Sequence, residues 1–243
     1  MKKFLVMLVL VAVVALSLSA ADVYIKTKTH TDAMSVMGQN TPARDDISEA
    51  WIGDNVFVTI TSAQSIVIDL SKNLAYFITP ANKTYVETPL PLDYAKILPP
   101  EAAAMAGMLK MTATVTPTTE TKKIGSWNCT GYDVNLTIMG MAMKMRSWAS
   151  TDVPFDFGAF NAKFLANMLK GQMRLDDASA KEFSKMKGYQ IASDMTGDIM
   201  GAKMHTTSEV VEITKKSAPA GAYAVPAGFT KTASLSMDAL QKR

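Results

Sequence analysis

Cysteine, histidine and net charge are all scarce in this chain of 243 residues. The single cysteine, Cys129, leaves no internal disulfide, so the fold must hold through a packed core and not through covalent staples. Free cysteine is among the most buried residue types, and Cys129 reads as a small hydrophobe with no neighbouring base to activate it. The two histidines, His30 and His205, are far apart and have no spaced partner. No His-Glu-x-x-His, Gly-x-Ser-x-Gly, phosphate-binding glycine loop or Cys-x-x-Cys occurs, which removes the common signatures of metallohydrolases, serine hydrolases, nucleotide-dependent enzymes and thiol oxidoreductases. The acid pairs Asp45-Asp46 and Asp176-Asp177 sit in polar runs and read as solvated surface or helix N-termini. The chain is therefore read as non-enzymatic and without a cofactor.

Charge of one sign is lacking as well. The formal net charge is +3, and without Lys2 and Lys3 it falls to +1. That balance leaves no electrostatic footprint for nucleic acid and no pull toward a strongly anionic partner. Long apolar runs are lacking with one exception. After the basic head Met1-Lys2-Lys3, residues 4–16 are unbroken hydrophobics, followed by Ser17-Leu18-Ser19-Ala20-Ala21. This is the pattern of a secretory signal peptide cut after Ala21. The run is shorter than the roughly 20 residues of a spanning helix, which disfavours an uncleaved anchor. No cysteine follows the cut to take a lipid. The sequence thus predicts a leader over 1–21 and one mature domain over 22–243, periplasmic or secreted, with no transmembrane segment.

What is present is a dense run of strand patterns. Residues 22–29 alternate Val23, Ile25 and Thr27 with Tyr24, Lys26 and Lys28. Residues 44–48 read as a polar turn. A hairpin is expected around Gly53-Asp54-Asn55, and strands over 65–70, 74–79 and 83–88 follow as a meander. Pro89, Pro91, Pro99 and Pro100 interrupt it, and Pro100 opens a helix expected over 101–110. A second β block covers 112–151, with a turn at Gly125 and a kink or bulge at Gly140. Residues 156–169 carry Phe157, Phe160, Phe164, Leu165, Met168 and Leu169 as one apolar helical stripe. A weaker helix is expected over 178–187. Long strands over 188–196 and 203–214 are expected to close the sheet, and the tail 236–243 to fray.

Methionine is the excess: eighteen in all. Met139, Met141, Met143 and Met145 alternate with Gly140, Ala142, Lys144 and Arg146, and a strand puts all four sulfurs on one face. Three readings follow. The face packs in the core, with unbranched Met filling gaps; or, with Phe157, Phe160, Phe164 and Met168, it lines a cavity for acyl chains; or the thioethers bind a soft metal such as Cu(I), with Met204-His205 adding a mixed site. The phenylalanine stripe has the same ambiguity between docking on its own sheet and covering a ligand as a lid.

Several segments together resemble an uncharacterised bacterial envelope domain family with the fold of the outer-membrane lipoprotein carriers LolA and LolB. They are Ile66-Val67-Ile68-Asp69, Tyr76-Phe77-Ile78 with Pro80, Lys83-Thr84-Tyr85-Val86-Glu87, the run from Lys122-Lys123-Ile124-Gly125 through Ser126-Trp127-Asn128-Cys129 to Thr130-Gly131-Tyr132, residues 148–154, Thr207-Ser208-Glu209-Val210-Val211-Glu212-Ile213, and Val225-Pro226-Ala227-Gly228-Phe229. The resemblance implies an α+β single domain: a strongly curved antiparallel β-sheet, an open half-barrel, with helices packed on its concave side. It also implies an apolar small molecule or lipid, or an acylated lipoprotein, held between sheet and helices. The rival expectation is an envelope structural or interaction module with a filled core and no ligand.

Overall fold

The computed structural model describes residues 22–36, 38–100, 102–103, 111–138, 140–165, 168, 175, 177–199 and 201–236. The expected leader, most of the helix expected over 101–110, Met139, Leu169 and nearly all of the tail lie outside these residues.

Short turns between alternating apolar residues leave little choice but antiparallel pairing. The strands are β1 (Val23–Thr31), β2 (Met34–Val36), β3 (Gln39–Thr41), β4 (Arg44–Ile52), β5 (Val56–Ile60), β6 (Ser65–Asp69), β7 (Leu74–Thr79), β8 (Thr84–Pro89), β9 (Met111–Ile124), β10 (Trp127–Ile138), β11 (Met141–Ser150), β12 (Tyr189–Ile199), β13 (Ala202–Lys215) and β14 (Thr230–Thr232). Twelve of them form one sheet in the order β14-β8-β7-β6-β5-β4-β1-β13-β12-β11-β10-β9, while β2 and β3 make a separate hairpin. Helix α1 (Phe157–Phe160) runs on into a π turn, Asn161–Leu165, and helix α2 (Asp177–Phe183) follows. Asp156 caps α1 by accepting from the Ala159 amide at 3.0 Å.

Three expectations need correction. The molecule is a single sheet-rich domain with two short helices among the described residues, not the larger helical complement that α+β implies. The sheet is open, as expected of a half-barrel, with β9 and β14 as its two edges, but it is mixed and not wholly antiparallel, because β14 pairs with β8 in parallel. The polar turn expected over 44–48 is the first half of β4, paired with β1 from Arg44↔Thr31 to Ser48↔Thr27. It is polar because this half of the sheet needs no apolar side chains on its outer face. Finally, β12 and β13 do not close the sheet at an edge. They sit at its centre, because β13 pairs with β1 and so joins the first β block to the second.

The register assigns every side chain to a face. On one face lie Val23, Ile25, Phe57, Ile68, Phe77, Val86, Val115, Val134, Leu136 and Val210, all buried. Phe160, Phe164, Leu175, Met186, Tyr94 and Ile97 pack against this face. The opposite face is divided. Around Tyr24, Trp51, Val58, Val67 and Ile78 it is covered by Ala218, Tyr223, Val225 and Phe229 of the C-terminal segment. Toward β9–β13 no described residue covers it.

The long edge strand β9 is protected at one end. The Ala113 amide donates to Ser179 Oγ at 3.0 Å and the Val115 amide to Glu182 Oε2 at 2.9 Å, both from α2. Pro117, next in the same alternation, has no amide hydrogen to offer. A row of edge donors that would template another strand is thereby silenced.

Candidate functional site

The residues singled out from sequence fall into two separate clusters. Met141, Met143 and Met145 alternate on β11 as period two requires, opposite Ile138, Leu136 and Val134. Met143 is buried among Ala113, Val115, Val134, Leu136, Leu175 and Met186. Phe160 and Phe164 are buried instead against Phe57 and Ile68, with Phe157 and Met168 half-buried beside them. Ring centroids lie 5.6 Å apart for Phe57–Phe160, 5.8 Å for Phe57–Phe164 and 5.9 Å for Phe160–Phe164. Tyr189, whose hydroxyl is pushed up to about 12 by burial, closes the group against Phe160. The methionine strand and the phenylalanine helix therefore share a face but pack into different clusters among the described residues. A pocket of about 240 Å³ remains beside Phe155, Phe160, Phe164, Val23 and Ile52, and no methionine is among the described residues that line it.

The mixed Met204–His205 site is not formed. Neighbours on a strand point to opposite faces; Met204 lies beside Met143 in the methionine cluster, while His205 is on the uncovered face.

On that uncovered face the two histidines, unremarkable in sequence, meet through strand register. Asp45 of β4 holds His30 Nδ1 at 2.7 Å. His30 Nε2 faces Asp32 Oδ1 at 3.1 Å. Asp32 Oδ2 faces His205 Nδ1 at 2.9 Å, and His205 Nε2 faces Asp194 of β12 at 3.2 Å. The result is an alternating acid–imidazole chain, Asp45–His30–Asp32–His205–Asp194, that ties four strands together. Each imidazole nitrogen faces a different carboxylate oxygen, and Asp32 bridges the two rings. Among the described residues no group of three or more His, Cys, Asp or Glu side chains stands where it could hold a metal ion. The His30–Asp32 spacing was the one sequence signal; Asp45, Asp194 and His205 become partners only when β4, β1, β13 and β12 line up.

Both histidines titrate above the ordinary 6.5, His30 chiefly through its hydrogen bond to Asp45 and His205 chiefly through that to Asp32. Asp32 titrates below 3.8, chiefly through His205. A raised histidine stabilises the fold fully below its unfolded value and loses that contribution as pH rises through the folded one. A lowered aspartate contributes above its unfolded value and loses it as pH falls through the folded one. The chain is thus strongest from about pH 4 to 6.5. Two-dimensional NMR titration should show both imidazoles charging above 6.5, and Asp32→Asn should return His205 toward 6.5. Two unshifted imidazoles would rule the chain out in solution.

Beside this chain lies a cleft of about 890 Å³ on the uncovered face, spanning β4, β1, β13, β12 and β11. Its walls include Ile47 and Val211, the two exposed large hydrophobics among the described residues, at 49% and 41% exposure. Trp148 forms the other side, with Lys122 Nζ 5.7 Å and Arg146 Cζ 5.8 Å from its ring centre. Arg146 also pairs with Asp133 at 3.2 Å and Glu120 at 3.4 Å. The floor is low because Ala192 and Gly131 flank Trp148 on neighbouring strands.

Cys129 is buried at 1% exposure in a cluster with Val23, Ile25, Trp127 and Ile191. Burial pushes its thiol upward. A thiol reagent such as DTNB should leave it untouched in the native state and modify it only at the rate of unfolding; fast stoichiometric labelling would contradict this packing.

No family model matches the chain, and no curated protein matches it. Among the described residues no helix is long and apolar enough to cross a membrane.

Proposed function

We propose that this protein is a non-enzymatic interaction module of the bacterial envelope, exported by its leader, on a LolA/LolB-like open half-barrel whose core is filled by its own side chains. Its partner is a polypeptide that docks in the cleft on the uncovered half of the sheet. The observation that carries this reading is a contrast of spaces. The face under the helices retains a pocket of about 240 Å³, too small for a long acyl chain, while the uncovered face carries about 890 Å³ with exposed Ile47 and Val211 at its wall. Mixed charge around the cleft, Lys28 and Lys122 against Asp45 and Glu209, supports a polar-rimmed protein contact over a lipid surface.

The carrier reading keeps one specific support: the residual pocket lies directly against Phe160 and Phe164, where displacement of α1 would enlarge it. Native mass spectrometry of the mature chain, gently purified from its own envelope, separates the two. A bare polypeptide mass, under conditions that keep lipid on a known carrier, favours the module. A lipid-sized adduct released on denaturation overturns it and establishes the carrier. In the module reading, Ile47→Asp with Val211→Asp abolishes partner capture and leaves the fold intact, since both side chains are exposed.

A further inference from the structure

We propose that the methionine array on the covered face of β11–β13 is a binding site for a soft monovalent metal ion, Cu(I) or Ag(I), held by thioether sulfurs alone. This goes beyond the interaction reading and does not depend on it. Met111, Met143, Met145, Met186, Met195 and Met204 all meet in one cluster. The register arranges four of them around a gap. Met145 lies opposite Met195, and Met143 and Met204 lie opposite Gly197 from its two sides. Gly197 has no side chain to separate them. A Cβ built there would stand 3.0 Å from Met143 Cγ, so Met143 already leans across β12 into the space glycine leaves.

Reach follows from this placement. Directly opposed residues have Cβ atoms about 5 Å apart and diagonal ones about 7–8 Å. Each sulfur stands two bonds beyond Cβ on an unbranched chain with three rotatable bonds. Met143 and Met204 stand on either side of Gly197, about 9–10 Å apart across two strand spacings, and each reaches inward over the glycine, where Met195 can join them with Met145 adjacent. The along-strand spacing of the 141–145 run alone would not achieve this; the cross-strand partners supply it.

The donor set selects the ion. Thioethers favour Cu(I) and other soft cations, and among the described residues no group of three or more His, Cys, Asp or Glu side chains stands where it could hold a harder ion. Met145, Met195 and Met204 are also only half-buried, which is not where flexible gap-fillers are needed. Leucine would pack there with better-defined rotamers.

The test uses Ag(I), which is redox-stable, and Cu(I) in competition with bathocuproine disulfonate, both read by native mass spectrometry of the mature chain. The wild type is expected to take up one ion per chain at micromolar metal, with a rise in Tm from linkage. The triple variant Met143→Leu, Met195→Leu, Met204→Leu is nearly volume-conserving and should fold, as checked by circular dichroism, yet bind no ion. Gly197→Val keeps every sulfur but fills the gap and should also lose the ion; it decides the matter if the triple variant fails to fold. A wild type that stays metal-free overturns the proposal, as does uptake that survives in either folded variant.

Discussion

Replacing Gly188 with alanine is expected to cost about 3 kcal/mol or more of folding stability, read as a fall in the urea midpoint at unchanged m-value. Two penalties combine at this position. Gly188 has φ +94, a conformation that side-chain-bearing residues enter only at a cost of about 1–2 kcal/mol. A Cβ there would also collide with the Ser150 carbonyl and the Thr151 amide, which are backbone atoms and cannot swing away. The close approach has a structural purpose. Gly188 precedes β12, and Ser150, the last residue of β11, pairs with Tyr189. The chain must therefore press against the end of β11 as it returns from α2. Gly140 supplies the control: φ is +80, and nothing lies within 4 Å of an added Cβ. Gly140→Ala should pay only the conformational part. If the two variants lose equal stability, the close contact at Ser150 does not exist in solution.

The parts of the fold that were legible from sequence are those in which one strand and its turn decide everything. The meander β5–β8 was readable because Val58, Val67 and Ile78 alternate and Gly53 and Asn73 mark the turns; Asn73 indeed takes a positive φ of 57. The amphipathic stripe of Phe160 and Phe164 also declared its buried face. What periodicity cannot supply is the neighbour. Met143 and Phe164 both pointed inward, yet which strands they would meet depended on β13 lying beside β1, a pairing 180 residues apart in the chain. The same long-range register made the Asp45–His30–Asp32–His205–Asp194 chain, of which local spacing announced only His30 and Asp32. The first half of β4 was unreadable for a related reason. Arg44, Asp45 and Asp46 carry no apolar alternation because both faces of this half-strand hold ion pairs: Asp45 meets His30 on the uncovered face, and Arg44 meets Asp46 on the other.

The division of that face also explains why function and core separate here. Near the C-terminal segment, Lys216 lies 3.5 Å over the Tyr24 ring and the Ala218 amide donates to Asp22 at 3.0 Å, so the outer face is sealed. Beyond β1 no described residue seals it, and the alternation runs from Tyr24 and Lys26 to Lys28 and His30. In the interaction reading proposed above, a sheet that is apolar on both faces in one half and on one face in the other directs a partner to the second half.

Phe164→Ala is expected to cost about 3–5 kcal/mol, the range for deleting a fully buried phenylalanine. Phe164 is 1% exposed and contacts Phe57 and Phe160 through their rings. The size of the loss distinguishes the two uses of α1. In a filled core the cavity left behind is dry and apolar, so the full penalty appears as a lower urea midpoint, and a small apolar probe such as benzene restores part of it. If α1 instead rests as a lid over space kept for cargo, its phenylalanines make few irreplaceable contacts and the loss stays under about 1 kcal/mol, the scale of a weakly packed site. Phe157→Ala, at the half-buried start of the same helix, should lose less than Phe164→Ala in either case. A small penalty at Phe164 would therefore return the argument to the acyl-chain carrier, and a large one would hold the covered face as core.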